Sequence, residues 1–148
     1  MGFEKINIMK FIGITILILI VAAVFLAPSE EEKRLEASTF PTSSINYNEL
    51  NKEVGCDSKY SDDKKTDIFN SKYKNHWMTW GGKIALLEAD DVSLNIDGKG
   101  TQDLAITFSD KKAGYDLKKG DTIKVKFVMK HAGGCFLPFV GELASIVK

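Results

Sequence analysis

The chain has 148 residues, 20 basic and 20 acidic side chains, and a formal net charge of zero. That is room for one domain, and the balance persists without the first 28 residues, which hold only Lys5, Lys10 and Glu4. Such a surface lacks the excess positive charge with which general nucleic-acid binders attract phosphate and polybasic segments attract anionic lipid.

Residues 11–27 form an unbroken run without charge. As a helix the run is about 26 Å long. Ile6, Ile8 and Met9 extend it to the roughly 30 Å of a hydrocarbon core, with Lys10 snorkelling to the interface. Two readings compete. A positive start, an apolar core and Ala22-Ala23 fit a cleaved signal peptide. The length of the run, and Pro28 directly after Ala27, favour an uncleaved anchor over residues 1–28. No cysteine follows the run to carry a lipid. Lys5 and Lys10 on one flank against Lys33 and Arg34 on the other barely decide orientation. A short N-terminal tail before a large C-terminal domain does: it predicts a single-pass protein of the cytoplasmic membrane with its domain outside the cytoplasm, periplasmic or at the cell surface.

Residues 29–44 read as a linker. Its first part, 29–36, extends the membrane helix for two turns. Its second part, 37–44, breaks at Pro41 within a Ser/Thr cluster and reads as a tether. The domain spans 45–148. Asn46 is a candidate N-cap for a helix over 47–54, which Gly55-Cys56-Asp57 ends. Ser61 caps a second helix, with Asp62 and Asp63 in its first turn, where the dipole favours anions. Ile68, Phe69 and Tyr73 form its buried stripe; Lys64, Lys65, Lys72 and Lys74 form its solvated face.

Five alternating runs follow. The first strand, 76–87, places Met78, Trp80, Ile84 and Leu86 inward and Trp77, Thr79, Lys83 and Ala85 outward. Gly81-Gly82 lets it bend sharply, as a small barrel requires. The second, 92–96, alternates strictly and is joined by a glycine hairpin to the third, 103–108. Residues 109–117 allow one short helical turn, and Lys118-Lys119-Gly120-Asp121 turns into the fourth strand, 122–130. There Ile123, Val125, Phe127 and Met129 share one face, and Lys124, Lys126 and Lys130 the other. A loop over 131–138 leads to the fifth strand, 139–147. Strands of this number, with a glycine bend in the first and a longer connection after the third, predict a mainly β fold. The predicted form is a five-stranded Greek-key barrel of the OB type, preceded by one or two short helices and the transmembrane helix.

Cys56 and Cys135 are the only cysteines, with no CxxC spacing. Outside the cytoplasm a disulfide between them is expected. It would contribute roughly 4 kcal/mol in the chain-entropy model. The alternative is two unrelated free thiols.

Three stretches carry a family resemblance: Phe69-Asn70-Ser71-Lys72-Tyr73-Lys74-Asn75, Trp80-Gly81-Gly82-Lys83-Ile84 and Tyr115-Asp116-Leu117-Lys118-Lys119-Gly120-Asp121. Over roughly residues 60–147 the chain resembles the OB-fold domains of exported bacterial proteins often labelled tRNA-anticodon-like. The resemblance implies the barrel and carries no catalytic residue. The label describes a shape and does not imply tRNA binding.

OB barrels commonly bind across strands two and three and the flanking loops. The outward positions there are Ser93, Asn95, Ala105 and Thr107, small and polar. A single-strand binder needs aromatic platforms and a basic groove, so nucleic acid is not the expected partner. The 131–138 loop is more distinctive. Phe136, Leu137 and Phe139 crowd beside Cys135 and Pro138, either as an apolar knob for a protein partner or as a cap on the barrel end. Lys124, Lys126 and Lys130 complete the candidate partner-contacting set, although alternating lysines also keep an exposed strand from aggregating. His76 and His131 lack metal-ligand spacing, and Asn95, Asp97, Lys99, Thr101 and Asp103 suggest a calcium loop only superficially, with its glycine and closing Glu misplaced. No metal or cofactor is expected. No nucleophile with a positioned base is identifiable. The expectation is a non-enzymatic binding or assembly module that contacts another envelope or surface protein. The alternative is a module for a glycan or an oligonucleotide.

Overall fold

The computed structural model describes residues 28–88, 90–100 and 102–147. The expected membrane anchor lies outside these. Among the described residues no helix is long and apolar enough to cross a membrane. The chain divides into two units, Met1–Glu36 and Ala37–Lys148.

The described part of the first unit is most of a short helix, α1 (Glu30–Ala37). It begins at its own cap: Glu32 N donates to Ser29 Oγ and Ser29 N donates to Glu32 Oε2, at 3.2 and 2.7 Å. These bonds hold the Glu32 carboxyl below its usual range. The expectation that residues 29–36 simply continue a preceding helix is corrected by this cap, which satisfies donors that only a helix start leaves open.

The second unit is mainly β. Two helices precede the barrel, α2 (Tyr47–Val54) and α3 (Asp62–Lys72). The predicted caps are in place. Asn46 Oδ1 accepts from Glu49 N while the Glu49 carboxylate accepts from Asn46 N, and Ser61 Oγ accepts from Lys64 N. Tyr47, Leu50 and Val54 recur at helical spacing and are buried, as are Ile68, Phe69 and Tyr73. The Tyr73 hydroxyl donates to Glu53 Oε2 at 2.8 Å, joining the end of α3 to α2. Burial and that carboxylate push its phenol up to about 12.

The strands are β1 (Trp77–Leu87), β2 (Asp91–Asn95), β3 (Leu104–Phe108), β4 (Thr122–His131) and β5 (Phe139–Ile146). They close into a barrel in the order β1-β2-β3-β5-β4, with β3 and β5 parallel and the other pairs antiparallel. Its interior holds the predicted inward residues, among them Met78, Trp80, Leu94, Ile106, Val125 and Phe127. Trp80 meets Phe127, Phe139 and Tyr47 edge to face, with ring centroids 5.3, 5.8 and 5.9 Å away. Such edge contacts bring the positive rim of one ring to the negative face of the next. In the connection from β3 to β4, Ala113 and Leu117 pack against this core.

Register shifts interrupt strict alternation in β1, in β5 and, between Met129 and His131, in β4. In β1 the pairing to β2 shifts between Ile84 and Leu86, so Leu86, expected inside, is 47% exposed. An extra residue reverses the parity of everything after it. In β5 the register shifts around Leu143, which sits at φ 54°. Gly141 and Ala144 consequently face inward three positions apart, and Leu143 faces out. There it joins Val128 and Ala37 in a second small core, against which Phe40 and Trp77 pack.

That second core explains the fate of residues 37–44, read from sequence as a tether. They form a strap along β1. Trp77 N donates to Pro41 O, Ser43 N donates to Trp77 O, and the Trp77 indole donates to Ala37 O, at 2.8, 2.9 and 2.8 Å. The pairing at Thr42 and Trp77 is parallel.

Within the strands, Gly82 and Gly141 are required for space. A Cβ on Gly82 would meet Asn95 O at 2.8 Å, and one on Gly141 would meet Phe127 Cδ2 at 2.3 Å. Gly82 lies outside the left-handed region, so it serves close approach of β2 and not a special turn. Gly141→Ala is expected to lower stability by about 1–3 kcal/mol, the range for an extra carbon in a packed interior. Urea unfolding checks this, with a lowered midpoint and an unchanged slope as the expected result.

Candidate partner-binding surface

The β4–β5 loop, residues 132–138, is shaped by its glycines. A Cβ on Gly133 would meet Phe139 N at 2.8 Å, and Gly134 N donates to Leu137 O at 2.8 Å. The tight turn that results divides the three predicted apolar residues. Phe139 goes into the core at 2% exposure, between Trp80 and Tyr47. Phe136 and Leu137 stay out, at 97% and 73%. Phe139 is therefore a barrel residue and no part of an exposed knob, since it opens β5 on the inward parity.

Cys135 is bonded to Cys56, so the loop is fixed covalently to the segment after α2. That segment is itself held. Asn51 Oδ1 accepts from Cys56 N, and Asn51 Nδ2 donates to Asp57 Oδ2, both at 2.9 Å. Gly55 makes room for this clamp, because a Cβ there would fall 2.0 Å from Asn51 Oδ1.

Beneath Phe136 and Leu137 lies a cleft of about 400 Å³ shared with Tyr47, Asp57, Asp97 and Asp103. Asp103 is its structural centre. Its Oδ1 accepts from the Tyr47 hydroxyl at 2.9 Å, and its Oδ2 accepts from Ile96 N and Asp97 N at 2.6 and 3.1 Å. One buried carboxylate thus joins α2, the β2–β3 hairpin and the start of β3. Burial first, and then the Asp103 carboxylate, raise the Tyr47 phenol well above its ordinary range. From sequence, Asp103 opens the third strand and belongs to a rejected calcium-loop pattern, with no role as a tie. An acid opening a strand directly after a glycine hairpin is the one local signal that it ties that hairpin.

The lysines lie elsewhere. Lys126 sits over the Trp77 ring at 5.0 Å and Lys130 over the Phe40 ring at 5.2 Å. Lys130 also donates to Asn75 Oδ1 at 2.9 Å. Lys126 thus covers the strap's neighbour Trp77 and Lys130 the strap's own Phe40, through cation–π contact. Lys130 reaches a cleft of about 490 Å³ that includes Ala132, Gly133, Gly134 and Cys135. Lys124 is exposed on β4. The structure therefore brings Phe136 and Leu137 together and leaves the lysine row along β4.

On the outer face of β2 and β3, Ser93 takes its predicted outward position but is covered there, while Thr107 is exposed and donates to Asp91 Oδ1. The cleft there holds Leu86, Glu88, Asp91 and Val140, and among the described residues no lysine, arginine or aromatic ring. Among the described residues no three His, Cys, Asp or Glu side chains are grouped to hold a metal ion. Comparison with family models, with curated proteins and with solved structures finds no match.

Proposed function

We propose that this chain is a non-enzymatic binding module, an OB-type barrel held outside the cytoplasmic membrane by its N-terminal apolar run, which offers Phe136 and Leu137 to an apolar pocket on another envelope or surface protein. The observation that carries the reading is the contrast within one loop: two large apolar side chains at 97% and 73% exposure on a turn fixed by a disulfide and by Gly133. Free-standing apolar tips lower no folding energy. On a rigid turn they bind with little ordering entropy left to lose, and an aromatic residue is the usual anchor of such contacts. The strand order and the parallel β3–β5 pair support the OB assignment. The disulfide supports an oxidising compartment.

The alternative, a glycan or oligonucleotide module, is weakened by the acidic, ring-free β2–β3 face, where stacking platforms and cations are needed.

A photo-crosslinking amino acid at position 136, in the full chain in its own cells, should yield a discrete protein adduct. Phe136→Ala with Leu137→Ala should weaken that partner's Kd by at least ~10-fold, as expected of interface anchors. The melting curve should stay in place, since exposed substitutions shift stability by only about 0.5 kcal/mol. An adduct pattern of lipid alone, or a large loss of stability, would sink the reading.

A further inference from the structure

β1 has more edge than its two neighbours use. On its β4 side Met129 N donates to His76 O and Ile84 N donates to Asp121 O, at 2.9 and 2.8 Å. The register runs unbroken from Trp77↔Val128 to Lys83↔Thr122. In an antiparallel ladder the bonded pairs alternate. The main-chain groups of Met78, Trp80 and Gly82 therefore face β4, and those of Trp77, Thr79, Gly81 and Lys83 face the opposite edge.

Two of these four are occupied. The strap takes Trp77 through Pro41 O and Ser43 N, and Lys83 pairs with Asn95 at the end of β2. A parallel ladder would continue from Ser43 O to Thr79 N. The strap turns away instead, and Ile45 O accepts the Trp80 indole at 2.8 Å. Among the described residues no hydrogen bond reaches the N–H or C=O of Thr79 or Gly81 on that edge. Both residues are exposed. At about 3.3 Å per residue the gap between Trp77 and Lys83 is about 20 Å long, enough for a short guest strand.

Beside the gap opens a groove of about 770 Å³ whose lining includes Gly81, Gly82, Gly98, Gly100, Lys83 and Lys119. The glycines leave the wall as bare backbone, so an approaching chain meets few side chains. Among the described residues, two lysines line the groove and no carboxylate does. This is the combination used in strand addition, where main-chain bonds supply affinity and wall side chains choose the sequence.

We propose that this edge of β1 receives an extended, acidic peptide segment of another protein as an added strand, with Thr79 and Gly81 as its main-chain partners and Lys83 and Lys119 as its charge partners. The site is separate from the Phe136 loop and stands or falls without it.

The test uses the full isotope-labelled chain, an alternating valine–glutamate octapeptide, and an alternating valine–lysine octapeptide of the same length. Amide exchange is read by NMR. At a tenfold excess over its Kd the acidic peptide should slow exchange at Thr79 and Gly81 by ~10-fold, since only the free state exchanges there. The basic peptide should bind roughly fivefold more weakly, as two exposed charge pairs allow. K83E/K119E should reverse that order, whereas K59E/K64E, the same charge change on exposed positions of the helical region, should not. Unchanged exchange at Thr79 and Gly81 under saturating peptide would overturn the proposal, as would a charge preference indifferent to K83E/K119E. Protection that grows with protein concentration and needs no peptide would assign the edge to a second copy and equally overturn it.

Discussion

Replacing both Cys56 and Cys135 with Ser is expected to lower the free energy of unfolding by roughly 4 kcal/mol, because the bond closes a loop with a sequence separation of 79. Domains of this size are stable by about 5–15 kcal/mol, so the loss is a large fraction of the whole. The native contacts explain why the bond matters locally. Cys56 is positioned by the Asn51 clamp, while the backbone bond that shapes the Cys135 loop, Gly134 N to Leu137 O, stays inside it. Without the bond the turn keeps its shape but loses its tie to α2. Urea unfolding of the native and Ser-substituted chains measures the difference. The unreduced, denatured protein should show no reactive thiol, and two should appear on reduction. A difference under about 1 kcal/mol would mean that the unfolded chain gains little freedom from opening the loop.

Asp103→Ala is expected to cost about 3 kcal/mol. It leaves three donors without an acceptor, the buried Tyr47 hydroxyl and the partly buried Ile96 N and Asp97 N. Hydrogen bonds to a charged group are worth about 1.5–3 kcal/mol each, and an orphaned donor carries its full desolvation cost. Water entering beside the hairpin offsets part of that sum. Asp103→Asn keeps one oxygen and should lose less. Tyr47→Phe removes a single bond and should cost about 1 kcal/mol. If thermal or urea unfolding ranks the three in another order, the carboxylate is not the junction described above.

The barrel was legible because its strands alternate: Val92 and Leu94, Leu104 and Ile106, and Ile123 to Met129 occupy the interior positions that their spacing dictates. Both helix caps were legible for a related reason, since Asn46 and Ser61 satisfy donors that any helix start exposes. What could not be read is where one extra residue enters a strand. Nothing in Ile84-Ala85-Leu86 marks a bulge, and the preference of Leu for burial argues against the exposure found. Leu143 is a harder case still, because a branched side chain at φ 54° runs against local preference and is held there by Val128 and Ala37. The strap was hidden by composition. Ser, Thr and Pro read as open chain, but Phe40 and Ala37 had partners in Trp77 and Val128 that only the folded sheet brings near. In the candidate site the exposed pair Phe136 and Leu137 was visible in sequence. The separation of Phe139 from them was not, because it depends on Gly133 setting where β5 begins.

The strap has a mechanical consequence. Hydrogen bonds made by Ala37 O, Pro41 O and Ser43 N converge on Trp77. Tension applied to the chain ahead of residue 37 therefore falls heavily on Trp77, at the head of the longest strand, beside the packing of Ala37 on Val128 and Leu143. Parallel pairing there loads the bonds together in shear, where a hairpin would peel them one by one. Trp77 thus acts as a cleat, and a tug on the leading segment is resisted before it reaches the barrel's interior.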